Sequence, residues 1–473
     1  MNPKAIFKIP KKINIKNIKE SLQSAVELEL ATIPTYLYTY YSIKRSWKTT
    51  IDPNDSQERT ERQELVDNIK NDLELKTTNT KEKEEIALNL ARSLQVYANK
   101  AAALIMSVVV EEMLHLALAS NVKQAIVGPP LIYIKVAFPT TLPEGLSTFE
   151  VNLDKFSKAQ LLTFMKIESP KSFKENEGKA ETIGQFYHQI EQCILNDFPG
   201  TYTNKRPQLV PEKNYYAQNT TNTIYYDKDH KPQFPNADDS GGLIHVVSCN
   251  TALVALDEII EQGEGHDGGD HLDINGNPKI LPRDYWDNNV NPEDYDDPDQ
   301  LELSHFVRFL ELYNEAYYLD NEFRKQMGLK ELDPEDYTTE YCFTKYFVKN
   351  QPKNPHTNGP GTKNNPITYE NNKSLQDFSN MANAIFSYIL LMIETCYYQA
   401  DNTQYEVFMM GVHKSMIWLL TPFGNKISKQ FNFLAENGQT YDAAVTFEFY
   451  DFSKKKSRPK QQLMELAKKL PTG

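Results

Sequence analysis

The chain has 473 residues, 40% of them hydrophobic and 24% charged, an ordinary globular composition for one large domain with insertions or for two or three average ones. Its 51 basic and 64 acidic residues give a formal net charge of −13, which argues against the basic face of a nucleic-acid binder. No stretch of about 18 uncharged apolar residues occurs, so no membrane span is expected. The basic segment Met1 to Ile18 lacks the apolar core and cleavage site of a secretory signal. Cys193, Cys249, Cys342 and Cys396 lie far apart with no C-x-x-C pair, which suits buried thiols in a reducing, cytoplasmic compartment.

Along the chain, Ile18 to Ile43 carries apolar residues at helical spacing, and Pro34 within it should kink the helix or begin a new one. Lys48 to Glu85 is polar and charged, a loop or a solvated helix. Ile86 to Gln124, rich in Ala, Leu, Val and Met, is predicted as a buried helix that Val127-Gly128-Pro129-Pro130 stops. Tyr133 to Leu153 reads as short strands or extended chain. Short helices are predicted at Lys158 to Glu168 and at Thr182 to Asn196, and Pro199 to Ser240 reads as a long insertion. Ser248 to Gly263 is helical by pattern, Gly263 to Pro298 is a loop dense in Gly, Asp and Asn, and Leu301 to Asn314 is helical again. After the Pro/Asn/Gly-rich stretch Asn350 to Asn372, helices are predicted at Ser374 to Tyr398 and Gln404 to Leu420, and a basic tail from Ser453 ends in a short helix. Helices dominate, and strands should be few and peripheral.

Two Glu-x-x-His pairs carry the chemistry: Glu112 with His115, inside VVVEEMLHLALA, and Glu302 with His305, inside LELSHFVRFLEL. Residues three apart share one face of a helix, so each pair can aim a carboxylate and an imidazole at one ion. Di-metal carboxylate centres in four-helix bundles use two such helices and one Glu from each of two others. Glu111, Glu112 and His115 interrupt an apolar helix, where an unpaired charge is costly, so at least one carboxylate should have a buried partner. The competing reading is a Glu–Arg or Glu–His pair that only holds helices together. In the second pair, Arg308 and Glu311 offer ordinary ion pairs on the same helix.

For the single glutamates, the first helix offers Glu27 and Glu29. The helix from Ser248 offers Glu258, Glu261 and Glu264. Its apolar stripe of Leu253, Leu256 and Ile260 leaves Glu264 pointing most nearly inward. Glu191 is a weaker substitute. His266 and His271 could add ligands, although loop histidines among aspartates are more often only solvated. The segment Asp273 to Asn277 lacks the full spacing of a calcium loop. Tyr36, Tyr40 and Tyr187 are candidate pocket rings, with core packing as the default reading of each.

VELELATIPTYLYTYYSI, VVVEEMLHLALASN and VGPP, continued by KAQLLTFMKIESP, ETIGQFYHQIE, DEIIEQGEG and LELSHFVRFLEL, resemble the ferritin-like iminophenyl-pyruvate dimer synthase family. That family includes the catalytic region of bacterial enzymes making bisindole pigments such as violacein and rebeccamycin. The resemblance covers roughly residues 15–318. It implies a mostly α fold: a ferritin-like four-helix bundle with long insertions and additional C-terminal helices. The corresponding domains would be residues 14–349 for metal binding, a linker at 350–373, and helices packed on the bundle at 374–473.

Likeness to the first two ferritin helices selects Glu29 over Glu27. Carried over, the ligands become Glu29, Glu112, His115, Glu264, Glu302 and His305, holding two iron ions, with manganese or another transition metal as the alternative. The implied activity is oxidation of a small-molecule substrate, such as an amino-acid-derived imine, with oxygen or peroxide. The alternative is a ferroxidase or metal-binding protein without an organic substrate. The pigment enzymes are much longer chains, so the resemblance leaves the substrate open. The two long insertions are expected to form a pocket walled by aromatic side chains beside the metals.

Overall fold

The computed structural model describes residues 12–44, 56–73, 80–141, 150–169, 182–203, 205–210, 242–264, 271–273, 276–283, 285, 304–357, 368–399, 404–409, 415–416, 419–435, 438–455 and 457–470. The chain is mostly helical. Its first helix, α1 (Ile18–Ser42), runs through Pro34 without interruption. The proline forfeits its own hydrogen bond to the preceding turn, and burial of nearly the whole helix outweighs that loss. Helix α2 (Ser56–Asp72) falls in the polar stretch and is anchored by buried Leu65, Val66 and Ile69.

Helix α3 (Thr80–Ile126) is the longest, about 70 Å at 1.5 Å per residue. Gly128, at φ +117°, ends it: its N–H and that of Val127 both reach the Lys123 carbonyl, at 3.0 and 2.9 Å. The Lys123 ammonium then donates to the carbonyls of Gly128 and Pro129 beyond the helix end. By length and composition α3 could cross a membrane, yet its apolar window is wholly buried by protein.

A two-stranded antiparallel pair follows, β1 (Thr140–Thr141) with β2 (Glu150–Val151). Helices α4 (Lys158–Ile167), α5 (Ile183–Asp197) and α6 (Cys249–Gly263) start at Ser157, Thr182 and Ser248, whose hydroxyls each accept a backbone N–H of the first turn. Helix α7 (His305–Gln326) begins four residues later than Leu301 and ends twelve later than Asn314. Ser304 is extended (φ −60°, ψ 161°) and its hydroxyl accepts the Val307 N–H, so the helix cannot pass back through it. At the far end, aromatic packing of Phe323 on Phe343 and Tyr346 carries α7 beyond its apolar pattern.

Helix α8 (Thr344–Phe347) leads to the last part of the chain: α9 (Lys373–Cys396), α10 (Gln404–Met409), α11 (Thr421–Gln430), the hairpin β3 (Asn432–Leu434) with β4 (Thr440–Asp442), and α12 (Pro459–Ala467). Of the predicted helix Gln404 to Leu420, residues 404–409 are α-helical and 415–416 and 419–420 lie in π-helical turn, the others being outside the described residues; α11 and the hairpin were not expected. Helix α3 is the hub of the bundle, packing against α1, α2, α6 and α7, while α4 lies on α7 and α5 covers α1 and α6.

Candidate metal centre

Burial inside this bundle sets the electrostatics. Glu29, Glu112, His115, Glu168, Glu264 and His305 are all buried, each 4% exposed or less. Helix α3 presents Glu112 and His115 one turn apart, and the N-terminus of α7 presents His305. The ligating atoms of these three lie within 4.8 Å of one another. From α1, Glu29 Oε2 stands 3.7 Å from His115 Nδ1, and Glu112 Oε1 is 3.9 Å from the same nitrogen. On the other side, His305 Nδ1 is 3.0 Å from Glu112 Oε1 and 3.6 Å from Glu168 Oε2.

Both imidazoles are oriented through Nε2, leaving Nδ1 toward the shared space. His115 Nε2 lies 3.0 Å from Gln262 Oε1, and the Gln262 amide donates in turn to Glu258. His305 Nε2 lies 2.9 Å from Glu111 Oε2. Both facing oxygens are acceptors, so Nε2 carries the proton and Nδ1 keeps its lone pair in the neutral ring. The carboxylates are oriented too. Thr32 donates to Glu112 Oε2 at 2.5 Å, Tyr187 donates to Glu29, and Tyr36 donates to Glu168.

Glu111 is the structural partner of the pair. Arg308 Nη1 reaches Glu111 Oε2 at 2.8 Å and Ser107 Oγ at 3.0 Å, with the arginine fully buried. Burial opposes the charge on Glu111, but Arg308 and His305 overcome it and hold the carboxyl down at about 2. Glu311 pairs with Lys100, which also binds Glu315. The ordinary ion pairs expected of α7 are thus present, yet they leave His305 facing the centre.

Glu112 is pushed up to about 7, first by burial and then by the like charges of Glu168 and Glu29. Burial disfavours charge on the two histidines, but the surrounding carboxylates reverse that and raise both, His305 well above its ordinary value. A cluster that draws protons this strongly lacks positive charge. His305 Nδ1, buried and without a hydrogen bond of acceptable geometry, is where that lack is most local. The donor set of carboxylate oxygens and imidazole nitrogens fits iron, manganese or zinc.

Of the sequence candidates, Glu29, Glu112, His115 and His305 come together, and Glu264 lines the same small space. Glu264 follows directly on α6, where its carboxylate accepts the backbone N–H of Gly184 at the start of α5. Glu27 faces away, accepting from Gln23 at 3.1 Å with Lys123 nearby. Glu302 lies outside the described residues, and α7 starts at His305 with Ser304 as its cap. Glu168, at the C-terminus of α4, was missed: it stands alone before Ser169-Pro170 and belongs to no E-x-x-H pattern.

Glu191 instead meets His188, at 2.6 Å. His266 is outside the described residues, His271 lies 2.9 Å from the Tyr285 hydroxyl, and Asp273 closes a turn on Asn277. Beside the centre the described residues enclose only about 10 Å³, with walls that include Leu28, Ile183, Ile259 and Ile260. The aromatic organic pocket expected there is not formed by these residues, since much of both insertions lies outside them.

A family profile described as Ferritin-like matches residues 22–314, more than half of the chain. Among solved structures, a ferritin like protein from Caulobacter vibrioides, determined at 1.95 Å, is 16% identical, with 87% of this chain and 98% of that chain covered at a TM-score of 0.38. No curated protein matches in sequence. The family match spans α1 and α3 with their glutamates and histidine, and extends into α7 past His305; the chain belongs to the ferritin-like family.

Proposed function

We propose that the protein is a di-metal oxidoreductase, loaded with two iron ions and acting with oxygen or peroxide on a small organic substrate, an amino-acid-derived imine by resemblance to the iminophenyl-pyruvate dimer synthases. The supporting observation is the buried cluster of Glu29, Glu112, Glu168, His115 and His305, with His305 Nδ1 left without a hydrogen bond among carboxylates. Glu112 is suited to bridge, lying near both histidines. His115 with Glu29 would hold one ion, and His305 with Glu168 the other. Glu264 is the further carboxylate of the shared space.

Bound iron would supply the electrons and open coordination positions for reduction of the oxidant. The protein's own groups orient and insulate. Gln262 and Glu111 fix the imidazoles, and Thr32, Tyr36 and Tyr187 fix the carboxylates by donating to them. Leu28, Ile183, Ile259 and Ile260 supply the apolar part of the wall beside these carboxylates.

The small volume enclosed beside the centre favours a second reading, a ferroxidase or metal-binding role without organic substrate. Metal analysis of protein grown with added iron, followed by incubation under oxygen with candidate imino and amino acids, separates the readings. About two ions per chain with substrate loss supports the enzyme. Two ions with oxygen uptake only on added ferrous iron supports the ferroxidase. Protein that takes up no transition metal would rule out both.

A further inference from the structure

A second cavity lies away from the candidate metals. It opens at the C-terminal end of α1, where Tyr40 is about 16 Å along the helix axis from Glu29 at 1.5 Å per residue. Its volume is about 470 Å³, within the range of roughly 300–1,000 Å³ usual for small-molecule sites. Three lysines from different segments converge on it: Lys44 just after α1, Lys349 just after α8, and Lys429 in the last turn of α11.

Lys349 is the informative member. It is buried, 7% exposed, and its ammonium donates to two neutral acceptors, the Tyr41 carbonyl at 2.7 Å and Asn425 Oδ1 at 3.2 Å. An ammonium has three donors, so one remains for a ligand. No carboxylate of the described residues lies within ion-pair distance of Lys44, Lys349 or Lys429. Asp442 shares the cavity, but its carboxylate accepts the Asn350 N–H at 2.8 Å. A buried cation with no carboxylate at ion-pair distance is costly, and Asp442 offsets only part of that cost. Burial, with Lys429 and Lys44 adding to it and Asp442 opposing it, pushes the Lys349 amine down to about 8.

We propose that this cavity binds a small organic anion, a carboxylate or phosphate monoester on a compact apolar body, with its charged oxygens held by Lys44, Lys349 and Lys429. Lys349 forms the buried end of the site, while the exposed Lys44 and Lys429 attract the anion from solvent. Tyr40 and Tyr346 supply apolar area for the body of the ligand. Helix α2 contributes Glu61 and Glu64 as well as Leu65, so that side repels a second negative charge and suits the uncharged end. The volume exceeds what inorganic phosphate would fill. This site is independent of the metal reading, because it shares no residue with the centre.

The test titrates the full-length protein with phenyl phosphate, benzoate and the neutral analogue benzyl alcohol, following saturation-transfer NMR and calorimetry. At least one anion should bind about tenfold or more tighter than the alcohol, and the stronger anion identifies the head group. Lys44→Met and Lys429→Met, both at exposed positions that should not disturb folding, should each weaken that anion several-fold while metal content stays unchanged. Lys349→Met should abolish binding if it folds, and the two exposed variants decide the matter if it does not. Anions that bind no tighter than benzyl alcohol, or as tightly to both exposed variants as to the wild type, would overturn the proposal.

Discussion

Gly184 donates its backbone N–H to the Glu264 carboxylate, and a β-carbon at position 184 would lie 2.1 Å from Glu264 Oε2. The contact ties the start of α5 to the end of α6, and only a residue without a side chain permits it. Gly184→Ala should leave the protein folded, since alanine gains about 0.5–1 kcal/mol over glycine within a helix. The carboxylate, as the movable partner, must shift. If Glu264 is a ligand, the visible spectrum of the cobalt-loaded variant should change. An identical spectrum would remove Glu264 from the coordination sphere.

His115→Ala and His305→Ala should each lower bound metal without unfolding the chain. Both rings turn Nδ1 toward the same Glu112 oxygen, Oε1, at 3.9 and 3.0 Å, while His115 also neighbours Glu29 and His305 neighbours Glu168. Elemental analysis of the purified variants should therefore find roughly one ion lost per histidine, or both where the bridge depends on the pair. Unchanged metal content in either variant would reduce that histidine to a packing role.

The first half of the centre was legible because Glu111, Glu112 and His115 break an apolar helix, and buried charges there demand partners. The identity of those partners was not legible. Glu111 finds Arg308 across almost two hundred residues, and no local pattern marks a contact between helices so far apart in the chain. Glu168 was hidden for a different reason: it caps a short helix, where a glutamate normally faces water, and only packing of α4 on α7 carries it inward. Ser304 was the opposite case. A serine just before HFVRFLEL is a readable start signal, and Ser304 does cap α7. The bundle helices themselves followed from apolar periodicity, whereas α11 and the β3–β4 hairpin, short and half-exposed, carry too little pattern to be read.

Arg308→Met should be the most damaging of the substitutions considered. It keeps much of the side-chain volume but leaves Glu111 buried with only His305 beside it. Removing one partner of a buried pair costs about 3–5 kcal/mol. The double variant with Glu111→Gln should recover part of that loss, because the uncompensated charge is gone. Urea denaturation of the metal-free proteins measures both. A double variant as unstable as the single would mean that arginine packing, and not its charge, is what matters.

Titration of the centre should make the metal-free protein less stable as pH rises toward neutrality. Glu112 is raised from an ordinary 4.5 to about 7, so between those values the folded chain holds a proton that the unfolded chain has released. Its contribution is complete below about 4.5 and is lost as pH climbs through about 7. The raised histidines act in the same direction, their stabilisation fading as pH rises above their ordinary 6.5. Glu111, held at about 2, works in the opposite sense and weakens the fold only as pH falls below its ordinary 4.5. A bound metal replaces the protons at Glu112 and the histidines, and so should cancel the loss on the alkaline side. Melting curves at pH 5, 6, 7 and 8, with and without manganese, should show the metal-free Tm falling across the series. The gap to the metal-loaded protein should widen with each step. Parallel profiles, with a constant gap or none, would mean that metal does not take the place of these protons, and that the cluster is a buried proton store holding four helices together.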